Sequence, residues 1–427
     1  MSMASQSRFG SRCRAALAVA VAMVVPLTTA AVAQAQPAAH AATAAESGVV
    51  QRAVTFTVVN RNRSLIACKS DGATYQVRGH ITGAMTDLAH PQTAILLLHG
   101  LSYGEFFSNY TAQPGYNFAR NQAEAGHVTV TVDRLGYGAS DKPVGADICF
   151  GSRADIAHQM VQQLRAGSYT TSGAVSPTFP KVVLAGHSVG AIIAQAEAYS
   201  FGDIDGLVLL SYSDTDVSLS AQAALGIAID QCKAGGQRQG GTTGPNGYIY
   251  FGADTPEKFI EGHFYTPNAD PKVVETTAAL RNRDPCGDIL SYKTAVAANL
   301  ANVGKIKTPT LVLAGGRDAI YPVPATKQAS LLTGSEDVTP VTVPETGHAL
   351  TLHRSADQFE AHLSSWLVGH QFGGWVMPAG AADTGGGSAA AVGHQELQSW
   401  GIALVALSAG MSLVLVCRRR AFGVPIA

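Results

Sequence analysis

Short apolar runs alternate along this chain with longer stretches of helical composition. Strand-like runs occupy residues 93–98, 127–132, 182–185, 206–210, 308–314 and 341–343, and helix-like stretches include residues 154–166 and 357–368. Most of the strand-like runs are apolar throughout, as in strands that are covered on both faces. The alternation predicts an α/β fold, a doubly wound and mostly parallel sheet whose functional site lies at the carboxyl ends of the strands.

The run at residues 182–185 leads directly into Gly186-His187-Ser188-Val189-Gly190, and a helix-like run follows. A serine flanked by glycines at a strand-to-helix turn is the pattern of a nucleophile elbow, because small neighbours let the hydroxyl stand exposed on a tight turn. We therefore predict that Ser188 is a nucleophile. The backbone N–H of Val189 would lie at the helix N-terminus, where it can stabilise an oxyanion.

An acid and a histidine follow in the order that such a site needs. Asp318 closes a buried-strand pattern with a Gly-Gly-Arg turn, and His348 follows the last strand-like run. His348 would take the proton of the serine hydroxyl, while Asp318 would hold the imidazole in the correct tautomer. Asp214 and Asp216, after an earlier strand-like run, are a second possible acid position, but the Gly-Gly-x-Asp turn is the better match.

The run at residues 93–98 ends in His99-Gly100. The next residue, Leu101, is placed to offer a second backbone N–H to the oxyanion. We interpret His99 as a structural residue that holds this loop. A further motif, Asp133-Arg134-Leu135-Gly136-Tyr137-Gly138-Ala139-Ser140, follows the run at residues 127–132.

In this order the motifs resemble those of the α/β-hydrolase superfamily over about residues 50–370: His-Gly after the third strand, Asp-Arg-x-Gly-x-Gly-x-Ser after the fourth, the serine elbow after the fifth, Gly-Gly-x-Asp after the seventh and Gly-His after the eighth. Serine in the elbow is unlike the dehalogenase and epoxide-hydrolase branches and favours an esterase- or lipase-like enzyme. The resemblance implies a structural position for Asp133 and these site residues: Ser188 as nucleophile, Asp318 as acid, His348 as base, and Leu101 and Val189 as oxyanion donors.

The motif spacing also divides the chain into domains. Residues 50–213 and 305–372 are predicted to form the two parts of the hydrolase core. Residues 214–304 are too long for a simple crossover and predict an inserted cap. The cap holds the densest aromatic cluster of the chain: Tyr248, Tyr250, Phe251, Phe259, Phe264 and Tyr265. These side chains either line an acyl or alcohol pocket over the nucleophile or form the core of the cap, and the sequence leaves both open.

The two ends of the chain predict export and attachment. Residues 1–35 contain arginines, an apolar run and small-residue sites in the order of a secretory signal peptide. A Gly/Ala-rich spacer at 373–398 precedes an uncharged apolar segment at 399–417 and a basic tail at 418–427, which together predict a transmembrane anchor with a cytoplasmic end. This layout also resembles a cell-wall sorting signal, cut by a sortase after Thr384, although alanine stands where the signal has leucine. Both interpretations place the protein outside the cell, at the extracellular face of the cell membrane or on the cell wall.

Four cysteines lie in the part predicted to be exported: Cys68, Cys149, Cys232 and Cys286. Their places in the core and cap favour pairing 68–149 and 232–286. No Cys-x-x-Cys or His-x-x-x-His spacing indicates a metal ion, and we expect no metal and no cofactor. Without the three signal and three tail arginines, 23 basic residues face 30 acidic ones, a net charge of −7, which argues against a nucleic-acid partner.

The sequence therefore predicts an exported serine hydrolase that cleaves carboxylic esters of a small-molecule acyl substrate through an acyl-enzyme on Ser188. Amide, peptide or lactone hydrolysis and acyl transfer remain open within the same fold. A non-catalytic surface binding module is the alternative from another class. The complete set of Ser188, Asp318 and His348 weighs against it.

Overall fold

The computed structural model describes residues 48–172, 175–239, 244–252 and 255–373. The predicted signal peptide, apolar C-terminal segment and basic tail lie outside these residues, as does the predicted spacer beyond its first residue. Within the described ranges, no helix is both long and apolar enough to cross a membrane.

The centre of the molecule is a nine-stranded sheet with the order β11-β10-β7-β6-β3-β4-β2-β1-β5. From β11 to β4 neighbouring strands are parallel, and β2, β1 and β5 continue the sheet antiparallel at one edge. Two short strands, β8 and β9, pair separately. The strands are β1 (Val49–Val59), β2 (Thr74–Ala84), β3 (Thr93–Leu98), β4 (Val128–Asp133), β5 (Thr170–Thr171), β6 (Lys181–His187), β7 (Gly206–Leu210), β8 (Tyr248–Ile249), β9 (Asp284–Pro285), β10 (Thr310–Gly315) and β11 (Val338–Val343). The predicted α/β-hydrolase fold with a mostly parallel sheet is confirmed.

The sequence predicts four strands before the one that leads into the serine motif, whereas the structure has five. The added strand is β5, whose two residues pair with Val54 and Thr55 of β1 at the far edge of the sheet. Two residues are too short to give an apolar pattern. The strand expected to be the fifth is therefore β6.

Helices cover the sheet and fill the segment between β7 and β10. We call residues 214–304 the cap segment; α5 to α8 lie within it. The helices are α1 (Met85–Ala89), α2 (Phe118–Glu124), α3 (Phe150–Ala166), α4 (Val189–Ser200), α5 (Leu219–Lys233), α6 (Pro256–His263), α7 (Pro271–Leu280), α8 (Cys286–Asn302), α9 (Ala325–Ala329) and α10 (Ala356–Gly369).

Strand β3 shows why the central runs are apolar throughout. Its alternate residues Ala94, Leu96 and Leu98 join the core that includes residues of α3 and α4. The residues between them, Ile95 and Leu97, join the core on which α10 packs. Both faces are thus buried, and each large apolar side chain stabilises the fold by about 1.5–3 kcal/mol. This core fixes the strand ends that carry the candidate site.

Two disulfides fasten segments outside the sheet. Cys68–Cys149 ties the chain after β1 to the start of α3, and Cys232–Cys286 ties the end of α5 to the start of α8 within the cap segment. These are the two pairs that the sequence favoured. Because each closes a long loop, the loss of either would cost about 2–5 kcal/mol of stability.

Candidate active site

Ser188 lies at the junction between β6 and α4, with φ at 54°. Its N–H donates to the carbonyl of Leu210 (2.8 Å), and its own carbonyl accepts from the N–H of Ala191 (2.8 Å). A Cβ at Gly190 would lie 2.2 Å from the Leu98 carbonyl oxygen, and one at Gly186 would lie 2.2 Å from the Gly190 carbonyl oxygen. The two glycines of the motif are therefore needed for this turn to close, as a nucleophile elbow requires.

Asp318 and His348 form a buried pair at the ends of β10 and β11. His348 Nδ1 donates to Asp318 Oδ2 (2.8 Å). The other carboxylate oxygen accepts from the backbone N–H groups of Ile320 (2.8 Å) and Tyr321 (3.0 Å), so the carboxylate is held from both sides. Because Nδ1 carries the proton in this bond, Nε2 is the basic nitrogen, and it has no hydrogen-bond partner among the described residues.

The serine motif and the histidine loop are joined through His187. Its Nε2 donates to the carbonyl oxygen of His348 (3.0 Å), and the two imidazole centres lie 4.7 Å apart. His187 also stacks on Phe107, with ring centroids 4.0 Å apart. Burial, followed by the effect of His348, holds the pKa of His187 well below its usual value. The neutral imidazole of His187, the residue before Ser188, thus connects the serine turn to His348.

The second possible acid position lies apart from this pair. Asp216 accepts from the hydroxyl of Thr215 (2.6 Å). The Asp214 carboxylate accepts hydrogen bonds from the side chains of Tyr212 (2.5 Å), Gln328 (2.8 Å) and Asn299 (3.0 Å). These bonds engage Asp214 in a buried polar network, so it is Asp318 that the structure brings to the histidine.

The loop after β3 comes close to the serine through a glycine. A Cβ at Gly100 would lie 2.8 Å from the Cβ of Ser188. His99 donates from Nδ1 to the Gly100 carbonyl (2.8 Å) and accepts at Nε2 from the N–H of Arg134 (3.1 Å), so it holds the loop, as expected. Leu101 lines the same cavity as Ser188 and Val189. The two proposed oxyanion donors therefore flank one cavity with the serine.

A model of the alpha/beta hydrolase family matches residues 95–362, well over half of the chain, including the ends of β3, β6, β10 and β11. The chain belongs to the alpha/beta hydrolase family. No curated protein sequence matches this α/β-hydrolase.

Solved structures similar to this α/β-hydrolase include two esterases and one lipase. An esterase from Thermogutta terrifontis is 18% identical, covers 73% of this chain and 99% of its own, and superposes with a TM-score of 0.51. An esterase from Exiguobacterium antarcticum is 18% identical, covering 72% and 98%, with a TM-score of 0.49. A monoacylglycerol lipase from Paleococcus ferrophilus is 19% identical, covering 65% and 94%, with a TM-score of 0.47. At this identity the likeness is one of fold.

The cavity at Ser188 is apolar and is closed in part by the cap segment of this α/β-hydrolase. It is narrow, with a volume of about 30 Å³, and is lined by Leu101, Ser188, Val189, Val217, Ala221, Leu225, Phe251, His263, Tyr292, Ile320 and Tyr321. A wider groove of about 420 Å³ touches both α5 and α6. The two spaces share Ala221, Phe251, His263 and Ile320. Apolar surface thus continues from the serine into the cap segment.

The cap aromatics divide between the two possibilities that the sequence left open. Phe251 lines both spaces, and Phe259 lines the groove. Tyr248 is buried and donates to the Pro143 carbonyl (2.8 Å), away from the cavity lining. Tyr250 lies under Arg283, 5.0 Å from the ring centroid. Some of the cluster therefore shapes the pocket, and the rest packs.

Sequence reasoning missed His263. Its ring lies 5.1 Å from the ring of His348, and its Nδ1 lies 2.9 Å from the hydroxyl of Tyr103. Burial, and then the effect of His348, lowers its pKa well below the usual value, so this ring is neutral at neutral pH. No motif surrounds His263 in the sequence, because the fold of the cap segment alone brings it to the site.

Asp284 was missed for the same reason. Its Oδ1 accepts from the N–H of Ser102 (2.6 Å) and the hydroxyl of Tyr137 (2.9 Å). Burial raises the pKa of Asp284 to about 6. Ser102 has φ at 65° and directly follows Leu101. A carboxyl of the cap segment thus fixes the backbone of the loop that carries a proposed oxyanion donor.

Proposed function

We propose that this α/β-hydrolase cleaves carboxylic esters through an acyl-enzyme formed on Ser188. One observation carries the proposal: Asp318 holds His348 at 2.8 Å, which leaves the buried Nε2 as a basic nitrogen, and His187 ties this loop to the strand end that bears the serine. A histidine whose Nδ1 is held by a carboxylate in this way is the general base that activates a serine hydroxyl.

The proposed reaction forms and then hydrolyses an acyl-enzyme, and each site residue stabilises a charge that develops on the way. Ser188 Oγ attacks the acyl carbon while His348 Nε2 accepts its proton, and Asp318 stabilises the imidazolium. The N–H groups of Leu101 and Val189 donate to the oxyanion. His348 then returns the proton to the leaving alcohol, and a water molecule, deprotonated by the same nitrogen, releases the acid and regenerates Ser188.

The cavity favours an uncharged, apolar acyl group. Among the described side chains that line it, none carries a charge at neutral pH, because His263 is neutral. The groove beyond Ala221 gives a longer apolar chain room to extend. Amides, peptides, lactones and acyl transfer would use the same acyl-enzyme, so a substrate panel separates them. A binding module without catalysis would form no such intermediate.

The decisive experiment is Ser188→Ala, with Ser211→Ala as the matched control. Ser211 is also buried at a strand end, with φ at 46° and its N–H bonded to the neighbouring strand. We expect Ser188→Ala to lower p-nitrophenyl ester turnover by about 10⁴-fold or more and to abolish labelling by a serine-directed phosphonate. Ser211→Ala should retain both. Unchanged turnover in Ser188→Ala would contradict the nucleophile assignment.

We also propose that the enzyme is exported and held at the cell surface. Disulfides persist in oxidising compartments, and Cys68–Cys149 and Cys232–Cys286 are compatible with that location. The apolar segment 399–417 would anchor the chain in the membrane, or a sortase would join Thr384 to the cell wall. We expect the intact mass of the surface form to lack residues 1–35 and to retain Arg418–Arg420 if the segment is an anchor. A mass that ends at Thr384 would select the sortase instead.

A further inference from the structure

A second cluster of potential ligands lies at the far end of the helix that begins after Ser188. His158 on α3, Glu197 near the end of α4 and Asp203 just beyond α4 each present one nitrogen or oxygen, and these atoms all lie within 4.8 Å of one another. His158 Nδ1 is 2.9 Å from Asp203 Oδ2 and 3.8 Å from Glu197 Oε1. Ligand atoms held about 2.0–2.2 Å from one tetrahedral zinc ion lie roughly 3.3–3.6 Å apart. His158 Nδ1 and Asp203 Oδ2 would therefore separate slightly, and Glu197 would move closer, to bind a shared ion.

The hydrogen bonds of the cluster are incomplete. Glu197 is fully buried, and no N–H or hydroxyl group among the described residues donates to its carboxyl oxygens. Burial, followed by a hydrogen bond shared with Asp203, raises the pKa of Glu197 well above its usual value, so a bound ion would displace a proton from it. His158 Nδ1 already lies at hydrogen-bond distance from the Asp203 carboxylate, at 2.9 Å. Buried carboxylates almost always have a partner, because an uncompensated one is costly. Helices α3 and α4 therefore direct the His158 imidazole and the buried Glu197 carboxyl group towards the Asp203 carboxylate.

The dipole of α4 favours a positive charge at the cluster. Glu197 lies in the last turn of α4, where the carbonyl end of the helix dipole is negative and opposes a carboxylate. Arg165 lies nearby, but its guanidinium is bound to the Asp205 carboxylate (2.6 Å) and the Asp203 carbonyl (2.7 Å). Arg63 lies over the Phe201 ring, and its guanidinium is bound to Asp155. Gln162 donates one hydrogen bond to Asp203. A divalent cation would neutralise both carboxylates and oppose the negative helix end.

The geometry points to a Zn²⁺ site formed by His158 Nδ1, Glu197 and Asp203. One imidazole and two carboxylates are a ligand set that zinc accepts, with water in the fourth position. His158 and Asp203 remain partly exposed, at 18% and 22% of their side chains, so an ion can enter from solvent. The ring of His158 is already oriented by stacking on Phe201, with centroids 4.1 Å apart.

The site would stabilise the enzyme rather than take part in its reaction. Glu197 lies nine residues after Ser188 on a helix that rises about 1.5 Å per residue, so the ion would be about 14 Å from the serine. It would instead fasten α3 to the end of α4 and to the turn that leads into β7. No sequence motif indicates this site, because its ligands are spaced by 39 and 6 residues.

The test is zinc binding by the full chain after removal of metals with EDTA. Isothermal titration with ZnCl₂ measures affinity and stoichiometry, and thermal unfolding measures the shift in Tm. The variants are Glu197→Gln, Asp203→Asn and His158→Phe, the last of which keeps the stacking on Phe201. Asp337→Asn is the matched control, because Asp337 pairs with His370 at 2.6 Å but belongs to no cluster of three.

We expect one zinc ion per chain and a higher Tm in its presence, both retained in Asp337→Asn. Affinity should fall at least tenfold in each of the three site variants. If Glu197→Gln does not fold, Asp203→Asn decides, because that side chain is partly exposed. Absence of zinc binding by the unmodified protein, or equal affinity in the site variants, would overturn the proposal; a proton shared by Glu197 and Asp203 would then account for the cluster.

Discussion

The carboxyl edge of the sheet and the cap segment meet at the same cavity, but they contribute to it differently. Along the edge, Ser188, Asp318 and His348 each follow a strand by a few residues, and the strand register fixes where they lie. From the cap segment, His263 and Asp284 reach the site through contacts with residues 160 and 182 positions away in the chain. We infer that the edge supplies the chemistry and that the cap segment adjusts the pocket and the oxyanion loop.

The strongest test of this division lies within the Asp318–His348 pair. We expect His348→Ala to lower kcat on a p-nitrophenyl ester by about 10⁴-fold or more, and Asp318→Asn by about 10³- to 10⁴-fold, because the amide would favour the wrong imidazole tautomer. Circular dichroism should show a folded protein in both cases. A loss of only a few-fold in His348→Ala would indicate a different base.

Asp214→Asn provides the control for the acid. Its carboxylate is satisfied by Tyr212, Gln328 and Asn299, so the amide would disturb these bonds without touching the histidine. We expect stability to fall by about 1–3 kcal/mol while kcat changes little. A large loss of kcat at full stability would instead favour Asp214 as the acid.

The same contrast explains how much the sequence could predict. The glycines around Ser188 and the Gly-Gly-x-Asp turn are visible because the backbone there excludes larger side chains, a requirement that is local in the chain. The β5 strand was missed because two residues form no pattern. Asp284 was missed because its function depends on the N–H of Ser102, which only the tertiary fold brings within 2.6 Å. His187 stood inside the predicted motif, but its bond to the His348 carbonyl had no signal in the sequence.

Asp284 offers a smaller effect that originates in the cap segment. Asp284→Asn replaces one acceptor oxygen by an NH₂ group that cannot accept from the loop, so the N–H of Leu101 should be held less well. Complete loss of an oxyanion donor costs about 10²- to 10³-fold, and we expect this partial effect to be on the order of tenfold in kcat. The control is Asp270→Asn, because Asp270 caps α7 and asparagine caps equally well.

The pH dependence of stability gives Asp284 an independent signature. Its pKa of about 6 exceeds the unfolded value, so the folded protein holds the proton more tightly. Its contribution to stability is therefore complete below about pH 4 and is lost as the pH rises through 6, by roughly 3 kcal/mol. Urea unfolding between pH 4 and 7 should show this decline for the unmodified protein and a flatter curve for Asp284→Asn. Parallel curves would contradict the assignment.

A substrate-selective effect should come from Ala221, which lines both the cavity at the serine and the wider groove. Ala221→Phe would fill the junction between them, whereas Ala234→Phe places the same ring at an exposed position just beyond α5. A pocket contact is worth about 1–3 kcal/mol, so kcat/KM for an octanoyl ester should fall about tenfold or more. An acetyl ester, which does not reach the groove, should be cleaved at nearly the original rate. Equal losses for both esters would show that Ala221 affects the chemistry of Ser188 itself, and the division between sheet edge and cap segment would then fail at this residue.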